Sequence, residues 1–249
     1  MLPWRITNGL RNARKHVNTT SYVLRDLARR RRQNGAMQNE AAKVSIVIPT
    51  LCQGRHLSHL GTLWRLLHEY LPQQTHSNYE AMVYCDGPNS AVDDLVKRLD
   101  DSRVTILHTD VTTGLWGHPQ TRAAIRLASG EFFVRMNDDN RPYPHYLRSL
   151  VDAFEPDVGL AYARVMFKGD ARHAYADFLR DSFLIPGDGS GRLANGNIDC
   201  MCYAVRTHVA QRHVEAWSDA YAADWRFVET LLAHGVKTRF IDTLIGEKC

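Results

Sequence analysis

No stretch of the 249-residue chain approaches the roughly 20 consecutive apolar residues that span a bilayer, and residues 1–35 have neither the apolar core nor the cleavage site of a secretory signal. Both absences lead to the expectation of a cytoplasmic protein. Zinc spacing is lacking too: Cys52, Cys85, Cys200, Cys202 and Cys249 are odd in number, scattered, and contain no CxxC or Cys/His pattern. A reducing compartment follows, with Cys200 and Cys202 read as buried small residues on one face of a strand. A basic body is also missing. Up to Lys43 ten Lys and Arg oppose two acids, so the formal net charge of +4 leaves the remainder four negative. The positive excess belongs to the N-terminal segment, and nucleic acid is not an expected partner of the body.

What is present is ample for a core. With 44% hydrophobic residues, the chain can bury one large α/β domain or two small ones. Residues 10–32 place Val17, Val23, Leu24 and Leu27 at helical spacing among arginines, and residues 33–42 are polar and aperiodic. That pattern predicts an N-terminal basic helix and a linker over 1–42. Such a helix either packs, solvated, on the body or on a second subunit of a homodimer, or is drawn to an anionic membrane surface at about 1 kcal/mol per basic residue. Leu2, Trp4 and Ile6 suit insertion at an interface, which would make the protein peripheral at the inner face of a membrane.

From Lys43 onwards, short β-rich runs alternate with helical stretches. The spacing predicts strands at 44–48, 81–85, 104–108, 131–136, 158–167, 198–205 and 237–241, and helices at 59–71, 91–99, 120–129, 146–154 and 224–234. Repeated β-then-α order implies an α/β fold with a Rossmann-like, mostly parallel sheet flanked by helices. Residues 168–196, with Gly169, Pro186, Gly187, Gly189 and Gly191, read as a long loop and a candidate lid.

In an open parallel sheet, ligands bind beyond the carboxyl ends of the strands. The polar residues that follow each apolar run therefore carry the functional signal. The run 132–136 leads directly into Asn137-Asp138-Asp139-Asn140. Adjacent carboxylates raise each other's pKa unless a cation sits beside them, and an oxygen-seeking divalent ion, Mn²⁺ or Mg²⁺, suits a pair that must also meet a diphosphate. Alone, such a pair is more often a solvated turn; its place at a strand end changes that weighting. Asp86 follows the second strand and suits a nucleotide's base or ribose, while Asp110, after the third, reads as an ordinary turn residue. Gly114-Leu115-Trp116-Gly117 is either a diphosphate or sugar cradle or a turn with Trp116 in the core, and His118 reads as a polar surface residue.

Val44-Ser45-Ile46-Val47-Ile48-Pro49-Thr50, then Cys85-Asp86-Gly87, then Ala128-Ser129-Gly130-Glu131-Phe132 leading to Asn137-Asp138-Asp139-Asn140 with Pro144, resemble in order and spacing the family 2 glycosyltransferases of GT-A fold. The likeness runs over about residues 43–247. It implies inverting transfer of a sugar from a nucleotide-diphosphate sugar, a UDP-sugar in the first instance, to a hydroxyl of a glycan or glycolipid. It also implies a nucleotide-binding half, 43–140, and an acceptor-binding half, 141–249. Pro49, Thr50, Asp86 and Asp138 would line the nucleotide pocket, with Asp86 directed at the base. Asp138 and Asp139 would be the metal-and-ribose motif, with Asp139 the direct ligand. Asp224, in Asp224-Trp225-Arg226-Phe227, matches the catalytic acid that opens a late helix, and Asp199 resembles a second acid on the acceptor side. Trp225 would offer an acceptor sugar a stacking surface. The chain departs from the common pattern at Asn137, at Ala223, and at Thr121-Arg122, where many members have Arg-Asn and where Arg122 would contact phosphate.

Each assignment has a plainer counterpart. Asp224 also suits a helix N-cap, Asp199 a strand acid paired with an Arg, and Trp225 a core position. Two other activities compete. Nucleotidyl transfer would need a basic glycine-rich loop after the first strand, of which Cys52-Gln53-Gly54-Arg55 is a poor version. A non-catalytic scaffold would act through its arginine helix, and the joint presence of Asp86, Asp138, Asp139 and Asp224 argues against it.

Overall fold

The computed structural model describes residues 41–167, 183–186 and 191–248. The expected basic helix at 10–32, nearly all of its linker and most of the 168–196 loop lie outside the described residues. Among those described, no helix is long and apolar enough to cross a membrane.

Strand β1 (Val44–Thr50) is buried along its whole length, as a strand covered on both faces must be. β2 (Tyr79–Cys85) and β4 (Phe132–Arg135) pair with it in parallel, and β3 (Val104–His108) pairs in parallel with β2. The connections carry α1 (His59–Arg65), α2 (Ser90–Leu99) and α3 (His118–Leu127). This is the parallel unit that the β-then-α order predicts. α2 begins where Asn89 Oδ1 accepts from Val92 N at 3.2 Å, satisfying an amide that the helix cannot. The helix expected over 59–71 is α1 followed by a π-turn, Leu66–Tyr70, and Leu63, Leu66, Leu67 and Leu71 all reach the core.

The second half is mixed. β8 (Tyr203–Arg206) runs antiparallel to β4, and β6 (Val158–Phe167) antiparallel to β8. β9 (Lys237–Lys248) lies parallel to β6, with β5 (Arg141–Pro142) antiparallel on β9 and β7 (Phe183–Ile185) antiparallel on β6. The sheet order is β3-β2-β1-β4-β8-β6-β9-β5. Parallel pairing thus changes to antiparallel at β4, the strand that leads into the acid pair. The remaining helices are α4 (Tyr146–Val151), α5 (Thr207–Arg212) and α6 (Ala223–Ala233).

One expected strand is shorter than its sequence suggests. Over 198–205 only β8 is extended; Cys200–Cys202 forms a tight 3-10 turn instead. Asp199 Oδ1 accepts from Met201 N at 2.9 Å and the Asp199 carbonyl from Cys202 N at 2.8 Å, so a side-chain cap displaces strand pairing. Cys200 and Cys202 are buried, but in this turn and not on a strand.

At the amino edge of the sheet, Gly130 passes so close to β1 that a Cβ there would lie 2.6 Å from the Lys43 carbonyl and 2.7 Å from Ser45 N. Beside it Glu80 accepts from Lys43, Ser45 and Ser129. Burial pushes the Glu80 carboxyl up, but these donors prevail and hold it at about 2.

Candidate active site

Two strand ends build the first rim. Thr50, closing β1, donates to Asp138 Oδ2 at 2.6 Å, and His59 Nδ1, at the start of α1, lies 3.0 Å from Asp138 Oδ1. Asn140 Oδ1 accepts from Asn137 N at 2.7 Å while Asn140 N donates to the Asn137 carbonyl at 3.1 Å. That reciprocal pair, made by the Asn140 side chain and the Asn137 backbone, closes the turn and explains the asparagine at 140. Asp138 is buried and tightly bonded, whereas Asp139 has a long contact, 3.5 Å, to Asn140 Nδ2. Burial, then the charge of Asp138, raise the Asp139 carboxyl to about 6 against the pull of Lys248 and His59. The hydrogen bond to Asp138 in turn raises His59. Behind Thr50, burial pushes the Cys52 thiol up to about 11, which removes it as a nucleophile.

Asp86, after β2, anchors a loop. Its Oδ1 accepts from Thr113 N at 2.8 Å, Thr113 Oγ1 at 3.0 Å and Gln120 Nε2 at 2.8 Å, and its Oδ2 from Gly114 N at 2.7 Å. The same loop rests on Pro49, because Gly117 (φ +76°) comes so near that a Cβ would be 2.3 Å from Pro49 Cβ. Pro49, Asp86 and the 113–117 strap therefore form one wall. Trp116 points outward, 61% exposed, and is not the core residue that one reading of this segment expects. Asp110 is exposed, as a turn residue should be.

His118 corrects its surface assignment: it is buried, and its Nδ1 accepts from Trp217 Nε1 at 3.1 Å. Burial, reinforced by Arg135, depresses it to about 4, so it stays neutral at physiological pH. Arg122 does not stand free for a phosphate. Its Nη1 donates to the Trp217 carbonyl at 2.9 Å and to Asp219 at 2.6 Å.

The second rim gathers Asp199, Asp224, Arg135 and Lys248. Asp199 pairs with Lys248 at the end of β9, so its partner is a lysine and not the arginine expected. Arg135, at the end of β4, donates to Thr121 Oγ1 at 3.1 Å, to Cys200 Sγ, and to the Trp116 carbonyl at 2.9 Å. Asp224 lies in the first turn of α6 behind Ala222, so it is not the N-cap; its Oδ1 accepts from Trp225 N at 2.8 Å. Burial, then the charge of Asp199, push its carboxyl up. Trp225 is half-buried against the core.

Asp139, Asp199 and Asp224 thus all feel the charge of Lys248, the last two also that of Arg135, and Asp138 adds a fourth carboxylate beside Asp139. Their mutual influence on ionisation links both rims. Two negative charges remain before His59 is counted, and Asp139 offers hard oxygen donors free of tight bonds. Among the described residues no three His, Cys, Asp or Glu form a closed metal cage. A Mg²⁺-like ion takes one or two carboxylates and completes its shell with water and phosphate, so the residues present fit such an ion.

Sequence reasoning missed Arg135, Lys248 and His59. Arg135 carried a signal, since it is a lone charge inside the apolar run 132–136, and buried charges need partners. His59 and Lys248 carried none, because their roles depend on strands distant in sequence.

The fold and the acid-lined junction of its two half-sheets define a GT-A type α/β protein. The model of Glycosyl transferase family 2 matches residues 45–207, well over half of the chain, and the chain belongs to that family. No curated protein matches the sequence. Among solved structures, TarS 1–349 of S. aureus superposes with a TM-score of 0.58 at 12% identity, covering 82% of this chain and 60% of its own. The same S. aureus protein in complex with UDP gives 0.56 at 12% identity over 83% and 60%. Mannosyltransferase PcManGT from Pyrobaculum calidifontis, in complex with GDP-Man and Mn²⁺, gives 0.57 at 15% identity over 94% and 66%. The chain spans three fifths to about two thirds of the length of these structures, and identities this low establish a shared fold.

Proposed function

We propose that this chain transfers a sugar from a nucleotide-diphosphate sugar to an acceptor hydroxyl of a glycan or glycolipid, with inversion, and that it requires Mn²⁺ or Mg²⁺. The observation that carries the reading is the convergence of Asp139, Asp199 and Asp224 on Lys248, with Asp138 beside the first, where the parallel and mixed half-sheets meet. Asp139, with Asp138 behind it, would hold the ion, which when bound supplies Lewis-acid stabilisation of charge developing on the departing diphosphate. Thr50 and His59 fix the Asp138 carboxylate. Pro49 and the strap anchored by Asp86 form the wall for the nucleotide. Asp224 takes the acceptor proton: its raised pKa makes it a stronger base than a solvated aspartate, and such a step contributes roughly 10²- to 10⁴-fold. Arg135 and Lys248 keep Asp199 ionised beside it, so the proton goes to Asp224. A single base acting on one displacement inverts the anomeric centre. The basic segment before the body suits an anionic membrane surface, which would bring a lipid-linked acceptor to the cleft.

Because solved relatives of this fold hold UDP or GDP-Man with Mn²⁺, UDP and GDP are the first nucleotides to test. Slow Mn²⁺-dependent hydrolysis of one member of a nucleotide-sugar panel is the expected result. Thermal stabilisation by a nucleoside triphosphate but by no nucleoside diphosphate would instead support nucleotidyl transfer.

A further inference from the structure

Among the described residues two aromatic side chains stand exposed, Trp116 at 61% and Tyr221 at 72%. They stand against each other, with ring centroids 6.1 Å apart and planes at 79°. Trp116 adopts φ +49°, a left-handed conformation that side chains other than glycine, asparagine and aspartate seldom take. Burial does not explain it, since the indole lies in solvent. The loop nevertheless holds it there from three sides: Gly114 N donates to Asp86, Gly117 rests on Pro49, and the Trp116 carbonyl accepts from Arg135. Arg135 also reaches Cys200, beside Asp199, and Tyr221 lies three residues before Asp224. The pair therefore joins the nucleotide wall to the acceptor acids.

We propose that Trp116 and Tyr221 form a stacking subsite for the acceptor, and that the acceptor is a saccharide with an apolar ring face. The proposal rests on the glycosyl-transfer reading and narrows its acceptor to a carbohydrate. Two rings set edge to face offer a pyranose a platform and a side wall, while its hydroxyls remain in water at the edges. Strain at a residue held by surrounding structure marks functional positions, and an exposed aromatic beside a base has no role in the core.

The test is ligand-observed saturation-transfer NMR with methyl hexopyranosides and their disaccharides as probes, in the presence of UDP or GDP and Mn²⁺. At least one probe is expected to receive saturation at its ring C–H protons. About a tenfold loss of affinity is expected in Trp116→Ala, Trp116→Gly and Tyr221→Ala, with nucleotide-induced thermal stabilisation retained in Tyr221→Ala, which lies outside the nucleotide wall. Glycine takes φ +49° freely, so Trp116→Gly keeps the test valid if Trp116→Ala folds poorly. Equal probe binding by all variants, or a nucleotide-bound wild type that binds no probe, overturns the subsite alone. A wild type that binds neither nucleotide overturns the transfer reading and the subsite with it.

Discussion

Thr50 donates to Asp138 across 2.6 Å, so the last residue of β1 sets the carboxylate that follows β4. The bond leaves Asp139, one residue on, as the acid with oxygens to offer an ion.

Asp139→Asn is expected to abolish the Mn²⁺-dependent part of thermal stabilisation by UDP or GDP. The free variant should melt no lower than wild type, because burial and Asp138 already press this carboxyl towards neutrality. Retention of the full Mn²⁺ effect would remove Asp139 from the metal site.

Asp224→Asn should bind nucleotide normally and lose transfer by roughly 10²- to 10⁴-fold. Its stability should move in the opposite direction. A carboxyl whose folded pKa is raised leaves the native state less stable as pH climbs through that value, and the charge of Asp199 adds to the cost. The variant should therefore melt above wild type at pH 7 and converge with it in acid; calorimetry at several pH values would reveal a flat difference if the assignment is wrong.

Glu80 has the opposite sign. Held at about 2 in the fold against an ordinary value near 4.3, it contributes stability that is complete above the unfolded value and lost as pH falls through about 2. Glu80→Gln should lower stability by about 2 kcal/mol at neutral pH, discounted for partial exposure, with the deficit closing in acid. Urea melts at pH 7 and pH 3 would check this, and an equal deficit at both would count against it.

Much of the nucleotide wall is legible in the sequence, because buried parallel strands are continuous apolar runs and the acids that end them stand out. The acceptor rim is less so. Asp199 caps a turn in a segment that reads as a strand, since a local side-chain bond competes with sheet pairing on nearly equal terms. Lys248 reaches Asp199 only through the register that pairs it with Phe167, which no local pattern encodes. Asp86 is legible as a site residue, yet its three bonds to the strap and its fourth to Gln120 depend on residues 27 to 34 positions further on.

Gly117→Ala should cost more than about 1 kcal/mol, since φ is +76° and the new methyl would press on Pro49. Gly196→Ala is the matched control, with φ +75° and nothing within 4 Å of the added carbon. Nucleotide affinity should fall in the first and hold in the second; equal losses by isothermal titration would separate the strap from the donor wall.

Arg135 gives the molecule an internal tether with consequences for timing. One planar guanidinium grips the Trp116 carbonyl, Thr121 and Cys200 at once, so a nucleotide that shifts the strap also pulls the turn bearing Asp199. Donor-first, ordered kinetics are the expected signature. Arg135→Lys keeps the charge but cannot span three partners, and its product-inhibition pattern should relax towards random entry; an unaltered order would mean that the tether is slack.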